Sequence, residues 1–315
     1  MRGKLKRKAV SGIMLTLLLV SMSTLAFNIQ LVKADWTWTE TIYIRADGSV
    51  DPDTAPISSV DNITYTLTDN IAGDVPRGSS AIVVERNNII VDGASYTVQG
   101  TGMHAWGSGI NLTYSNNVTI RNVQVTNFRT GIELHNSGNS LLSGNVASNN
   151  TFIGIHLYDS SNNTLFHNNL IDSAVNVTTG YANTWDNGYP SGGNYWSDYS
   201  GVDADGDGIG DTPYVIDANN QDNYPLIEPW SPPTMTKTLI RTVKFWNLSK
   251  GTENSLISKL EGALHSLDTG KKNQAIHRLM AFTNQVEALQ GKKLTNVQAD
   301  YLIAEAQRII DLING

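Results

Sequence analysis

The fold is decided by a stretch that repeats nearly three times: "NNVTIRNVQVTNFRTGIELHNSG" (116–138), "NSLLSGNVASNNTFIGIHLYDSS" (139–161) and "NNTLFHNNLID" (162–172). Self-similarity at a fixed period is typical of architectures that stack one repeat on the next. Two asparagine columns coincide at a spacing of 23 residues, namely Asn116, Asn139 and Asn162, and Asn122, Asn145 and Asn168. Because each copy is too short and polar to bury a face alone, the repeat predicts stacked coils.

The recurring motifs "GINL" (109–112), "GIEL" (131–134) and "GIHL" (154–157) show how each coil buries its apolar side chains. Short alternating runs bounded by Asn, Gly and Ser favour strands over helices. The pleat turns Ile132 and Leu134 inward, while Glu133 and His135 point outward. Coils paired in register would stack these aliphatic side chains in one column, each contributing about 2 kcal/mol when buried. The pattern predicts a mainly β protein, a parallel β-helix.

The segment after the repeat is the most specific part of the chain. "NTWDNGYPSGGNYWSDYSGVDADGDGIGDTPYVI" (183–216) and "NYPL" (223–226) resemble the end of the β-helix in NosD-like surface proteins. The resemblance covers roughly residues 80–230 and implies a right-handed parallel β-helix within a wider group of carbohydrate-binding proteins and sugar hydrolases. The predicted organisation is a signal peptide (1–34), N-terminal strands or cap (35–80), the β-helix with its C-terminal cap (81–230) and a helical accessory domain (235–315).

"DADGDGIGD" (203–211) has the spacing of a calcium loop. In such a loop the ion is bound by side chains at positions one, three, five and nine and by the backbone carbonyl at position seven. These positions are Asp203, Asp205, Asp207 and Asp211 for the carboxylates and Ile209 for the carbonyl. Tyr214 replaces the bidentate glutamate of an EF-hand, and Pro213 argues against a flanking helix. We therefore predict an isolated structural calcium site that folds the cap. The alternative is a solvated acidic turn without an ion.

Five aromatic residues of the same segment are predicted to pack over the open end of the coil stack, which would otherwise expose core side chains. The alternative is that their rings stack on sugars. The five are Trp185, Tyr189, Tyr195, Trp196 and Tyr199.

Outward-facing residues of the coils form a polar stripe, which is the best candidate ligand surface. Its two columns are Asn111–Glu133–His156 and Thr113–His135–Tyr158, and the alternative is an ordinary solvated sheet face. A glycosidase needs two nearby carboxylates, but no carboxylate stacks on another in the predicted register. The preferred function is therefore non-catalytic carbohydrate binding or cell-surface structure, with a polysaccharide lyase or hydrolase as an alternative.

A copper-handling accessory role is the other alternative, because the resemblance to NosD-like proteins implies it. Copper binds imidazole and sulfur ligands, whereas the chain has no cysteine. His135 and His156 would lie diagonally on neighbouring strands, and a third ligand such as His104 would have to come from an insertion. Isolated surface histidines explain the same residues more simply.

The N-terminus indicates export. A basic segment precedes the apolar stretch "AVSGIMLTLLLVSMSTLAF", and "VKA" before Asp35 is a small-residue cleavage site; an uncleaved membrane anchor is the alternative. The predicted location is secreted or cell-surface, and seven N-x-S/T sequons allow a glycoprotein. Residues 35–230 hold five arginines, no lysine and 22 acidic residues. This charge argues against nucleic acid or anionic lipid as a partner and is compatible with calcium. The expected partner is a polysaccharide or cell-surface glycan.

The last part of the chain changes to helical periodicity and is basic, with 11 Lys and Arg against seven acidic residues in 231–315. Leucines at 256, 260, 264 and 267 share one face, and two later segments repeat the spacing. "NLSKGTENSLISKLEGAL" (247–264) and "AFTNQVEALQGKKLTNVQADYLIAEAQRII" (281–310) resemble the FIMAH-type helical module. The pattern predicts a small three-helix domain. The resemblance implies that this domain is an accessory or attachment module, and another surface protein is its expected partner.

Overall fold

The computed structural model describes residues 36–37, 40–75, 78–102 and 107–314. The predicted signal peptide and the candidate copper ligand His104 lie outside these ranges. Within the described part, about six coils of a β-solenoid occupy residues 64–196 and four helices follow. The predicted parallel β-helix is therefore confirmed.

Each coil contributes short strands to three mainly parallel sheets, and the edge strands Val50–Asp51 and Ile57–Ser58 of the second and third sheets pair antiparallel. The first sheet has the order β1 (Trp36–Thr37), β6 (Ile71–Ala72), β9 (Thr97–Gln99), β12 (Gln124–Thr126), β15 (Val146–Ser148), β18 (Asn169–Ile171) and β20 (Tyr195–Trp196). The second has the order β19 (Val175–Thr179), β16 (Ile153–Tyr158), β13 (Thr130–His135), β10 (Ser108–Thr113), β7 (Ile82–Val84), β2 (Ile42–Ile44) and β3 (Val50–Asp51). The third has the order β17 (Thr164–Phe166), β14 (Leu141–Ser143), β11 (Thr119–Arg121), β8 (Ile90–Asp92), β5 (Thr64–Leu67) and β4 (Ile57–Ser58).

The inner column of aliphatic side chains lies where the alternation predicts it. Ile132 pairs with Ile110 on one neighbouring coil and with Ile155 on the other. Its side chain is fully buried, as are those of Leu112 and Leu134. Such close-packed columns supply the apolar burial that a single coil could not provide.

The coils are not all 23 residues long, and this corrects the predicted asparagine columns. Ile110 pairs with Ile132, a step of 22, whereas Ile132 pairs with Ile155, a step of 23. As a result Asn145 lies beneath Val123 and accepts its backbone N–H at 3.2 Å, and Asn122 instead occupies a turn with φ 54°. The shorter coil has one residue fewer in a turn, so the inward side chains keep their positions.

Asparagine side chains form a buried ladder along the first sheet. The side-chain amide of Asn145 donates to Oδ1 of Asn168 at 3.0 Å, and that of Asn168 donates to Oδ1 of Asn194 at 2.9 Å. All three residues are fully buried. Because each amide also donates to a main-chain carbonyl of a neighbouring coil, the ladder satisfies turn backbone that water cannot reach.

A C-terminal antiparallel hairpin, β21 (Tyr214–Asp217) and β22 (Asn220–Asp222), closes the stack. Asp222 ends the ladder by accepting the backbone N–H of Asn194 at 2.7 Å, and it also accepts the indole N–H of Trp196 at 2.9 Å. A second ladder joins the Asn163 amide to Oδ1 of Asn183 at 3.1 Å. Asn220 ends it by accepting the Asn183 backbone N–H at 2.9 Å, and it also accepts the indole N–H of Trp185 at 3.0 Å. The hairpin thus satisfies the backbone and indole donors of the last coil.

The helical region contains four helices, one more than the sequence predicted: α1 (Pro232–Phe245), α2 (Lys250–Asp268), α3 (Lys272–Leu289) and α4 (Asn296–Asn314). The additional helix is α1. Its buried face includes threonines at 234, 236, 238 and 242, so the apolar periodicity that reveals a helix is missing. In the described part of the chain, none of the helices combines the length and the apolar character that a bilayer crossing requires.

Helix α1 docks on the cap of the β-helix. The Arg241 side chain is 6% exposed and donates from Nε to the Pro190 carbonyl at 2.7 Å and from Nη1 to the Asp207 carbonyl. Trp230, just before the helix, exchanges hydrogen bonds with Asn169 and stacks on His167 with ring centroids 3.5 Å apart. The helical core therefore continues into the β-helix cap.

Candidate functional site

The residues predicted for the ligand surface come together on the second sheet. Glu133 pairs with Asn111 on β10 and with His156 on β16, and His135 pairs with Tyr158. All five side chains are at least partly exposed. Alternation along the strands places them on the outside of the coil stack, opposite the buried column.

Glu133 is the centre of a hydrogen-bonded cluster on this surface. Its Oε1 lies 3.6 Å from Nδ1 of His156, and its Oε2 accepts from the Asn111 amide at 3.4 Å and from the Ser108 hydroxyl. The interaction with the adjacent His156 imidazole is the main cause of a pKa of Glu133 below its ordinary value. The cluster fixes a carboxylate and an imidazole at the surface, and the neighbouring coils supply no second carboxylate in register with Glu133.

Aromatic rings lie beside this cluster and form a ridge. The ring centroid of His135 lies 5.9 Å from that of Tyr114 and 4.9 Å from that of Tyr158. Tyr114 is 69% exposed and Tyr158 is 51% exposed. Tyr114 was not predicted from the sequence, because it follows the strand and its φ of 57° takes it out of the alternating pattern. We call Tyr114, Glu133, His135, His156 and Tyr158 the polar–aromatic ridge.

The Asp-rich segment forms a compact loop. Carboxylate oxygens of Asp203, Asp205 and Asp207 lie within 4.8 Å of one another. The Asp203 carboxylate accepts backbone N–H groups of Gly206, at 2.8 Å, and of two later residues, and Asp211 accepts from Ala204 at 2.8 Å. The oxygens of the first three aspartates converge, whereas the carbonyl of Ile209 and the Asp211 carboxylate were placed in the site by spacing alone.

The predicted cap aromatics differ in exposure. Trp185 and Trp196 are 1% exposed and lie in the solenoid core, with Tyr214 stacked on Trp196 at 4.1 Å. Tyr195 and Tyr199 are partly buried, whereas Tyr189 has 45% of its surface exposed. The buried indoles close the core and cannot stack on a soluble sugar, whereas the Tyr189 ring can.

Copper would need imidazole ligands from the histidines, because the chain has no cysteine. Among those residues, the one group of three metal-ligating side chains with converging atoms is Asp203, Asp205 and Asp207, which contains no histidine. His167 is buried, and its burial lowers its pKa to about 3. Copper prefers nitrogen and sulfur ligands, whereas this group offers only carboxylate oxygens, which suit calcium. No step of the proposed function therefore involves copper.

Together these features define a parallel β-helix protein with a hairpin-closed end and an appended helical domain. Residues 50–201 match the family model of the periplasmic copper-binding protein NosD, and residues 233–311 match the FIMAH domain. The β-helix is thus similar to NosD and the helical region to the FIMAH domain, and the first match points to an extracytoplasmic location. No curated protein and no solved structure matches the chain.

Proposed function

We propose that this chain is an exported, non-catalytic glycan-binding protein of the cell surface or the secreted fraction, and that the polar–aromatic ridge binds the glycan. The observation that carries the proposal is the exposed pair Tyr114 and Tyr158 on either side of His135, next to the Glu133 cluster. Sugar rings stack on aromatic faces, and carboxylate, amide and imidazole groups exchange hydrogen bonds with hydroxyls. Because the ridge runs across strands that pair in register from coil to coil, it suits an extended polysaccharide.

A glycan array followed by affinity electrophoresis in the retained polysaccharide tests this proposal. Truncating Tyr114 and Tyr158 together to alanine should weaken retention at least tenfold, because a central aromatic contact contributes more than about 1 kcal/mol. Glu133→Ala/His156→Ala should weaken it as well. Tyr181→Ala is the matched control, because Tyr181 is also 51% exposed but lies beyond the ridge. Equal retention of the ridge variants and the control would disprove the assignment, and turnover of any glycan by the wild type would favour the enzyme alternative.

We also propose that Asp203, Asp205, Asp207, Ile209 and Asp211 hold a structural calcium ion. Three converging carboxylates repel one another unless a cation lies between them, which supports this proposal. The Arg241 guanidinium donates to the Asp207 carbonyl and supplies one positive charge nearby, without pairing with the carboxylates in any ion pair found among the described residues. The loop therefore retains a net negative charge.

Thermal unfolding with ~10 mM calcium or with a chelator tests the metal site. For the weak affinities of extracellular loops, saturation contributes about 1.4–2.7 kcal/mol, or a rise of a few degrees in Tm. Asp205→Asn should remove most of that rise, whereas the exposed Asp53→Asn should keep it. An unchanged Tm for the wild type on adding calcium would exclude the ion.

A further inference from the structure

A cleft of about 550 Å³ lies between the Asp-rich loop and helix α1. One wall consists of Tyr189 and Asp207 from the cap, and the opposite wall consists of Lys237, Lys244 and Phe245 from α1. It exists only because the helical domain docks on the β-helix. Its volume falls in the range of small-molecule sites, which often occur at domain junctions.

The two walls are held in place by Arg241. Its guanidinium donates to carbonyls on both cap segments that border the cleft, at Pro190 and Asp207, and to Ser191 at 3.4 Å. Pro190 directly follows Tyr189, so the same contact restrains the aromatic wall. A cleft whose walls are already fixed loses little entropy when a ligand binds.

Two aromatic rings from different domains meet at this cleft. Tyr189 and Phe245 lie edge to face with ring centroids 5.6 Å apart, and they are 45% and 57% exposed. Phe245 is the last residue of α1, and its ring lies outside the helical core. Two large exposed rings at the edge of one concave site give a ligand ring an apolar face on which to stack.

The polar lining has charges of both signs. Lys237 pairs with Glu228 at 2.5 Å, and Lys244 lies in the last turn of α1. Asp207 adds a carboxylate on the opposite wall. Such interspersed donors and acceptors suit hydroxyl groups, which both donate and accept, whereas a strongly anionic ligand would meet the Asp-rich loop.

We propose that this cleft is a second carbohydrate site, separate from the polar–aromatic ridge, and that it takes a neutral di- or trisaccharide. One sugar ring stacks on Tyr189 and packs against Phe245 beside it, and its hydroxyls hydrogen bond with Lys244 and with the Lys237–Glu228 pair. The site goes beyond the function proposed above because it needs both domains and accepts a short sugar instead of an extended chain.

Saturation-transfer NMR of the full chain with maltotriose, cellobiose, mannobiose and N,N′-diacetylchitobiose tests the cleft. We expect transfer to at least one sugar in the wild type, a loss of affinity of about tenfold or more in Tyr189→Ala/Phe245→Ala, and recovery in Tyr189→Phe, which keeps the ring. The ridge variant Tyr114→Ala/Tyr158→Ala and the control Tyr181→Ala should bind as the wild type does.

Three outcomes would overturn the cleft proposal. They are no transfer to any of the four sugars at ~10 mM, equal binding by the cleft variant and the wild type, and loss of binding in the ridge variant alone. The last outcome would place all sugar binding on the ridge. If instead the affinity electrophoresis shows no retention by a polysaccharide but the NMR experiment succeeds, the ridge proposal is rejected and the cleft proposal is kept. Unchanged Tm values in the variants exclude loss of folding as the cause.

Discussion

The asparagine ladder allows a sharp test of what holds the coils together, through Asn168→Ala. Asn168 is fully buried, and its Oδ1 accepts the Asn145 backbone N–H at 3.1 Å. Its side-chain amide donates to the Leu142 carbonyl at 2.8 Å and to Asn194. Alanine removes these bonds and leaves at least one buried N–H and one buried carbonyl without this partner.

The expected loss follows from those two groups. Each buried polar group left unsatisfied costs about 1–3 kcal/mol, so the variant should lose about 4 kcal/mol of unfolding free energy. That is a large part of the 5–15 kcal/mol typical of a folded domain. Urea unfolding at 25 °C, followed by tryptophan fluorescence, measures it, since Trp185 and Trp196 lie in the solenoid core.

The exposed helix residue Asn254 is the matched control, and Asn254→Ala should change the unfolding free energy by no more than about 0.5 kcal/mol. Because Asn145 and Asn168 share a hydrogen bond, the double variant Asn145→Ala/Asn168→Ala should lose less than the sum of the single variants. A loss below about 1 kcal/mol for Asn168→Ala, or strict additivity with Asn145→Ala, would refute the ladder as a main source of stability.

Three further predictions concern the cap. Burial raises the pKa of Asp222 to about 7, although its N–H donors oppose this rise. Because the pKa in the unfolded state is near 3.8, the native state binds an extra proton, and the unfolding free energy should fall by up to about 4 kcal/mol as the pH rises from about 4 to about 7. Urea unfolding measures this slope, and Asp222→Asn should flatten it. Gly193→Ala would place a Cβ 1.9 Å from an Asp222 carboxylate oxygen, whereas Gly180 has open space around it. Gly193→Ala should therefore lower the unfolding free energy by about 1–3 kcal/mol, and the control Gly180→Ala by about 0.5 kcal/mol or less. Equal Tm values for the two variants would contradict this prediction. Arg241→Met removes the guanidinium that donates to the partly buried carbonyls of Pro190 and Asp207, and it should cost about 2 kcal/mol in urea unfolding. An unchanged unfolding free energy would show that the guanidinium does not hold α1.

The polar–aromatic ridge was largely predictable from the sequence, and the cleft was not. The stacked pairs Glu133–His156 and His135–Tyr158 follow from the repeat and from the two-residue alternation of a strand. Tyr114 was not predicted because it lies in a turn, outside the alternation of the strand. The cleft depends on Phe245 and Arg241, which come from a helix whose threonine-rich buried face gives no periodic signal.

The sequence by itself determined the coil architecture, the inward column of aliphatic residues and the spacing of the Asp-rich loop, because each depends on local alternation or on a short repeat. Only the tertiary structure decided where the ladders end and how the helical domain docks. Asp222 meets Asn194, and Trp230 meets Asn169 across 61 residues of chain. No local pattern encodes such contacts, since they form only when the closed end of the β-helix and the first helix pack against each other.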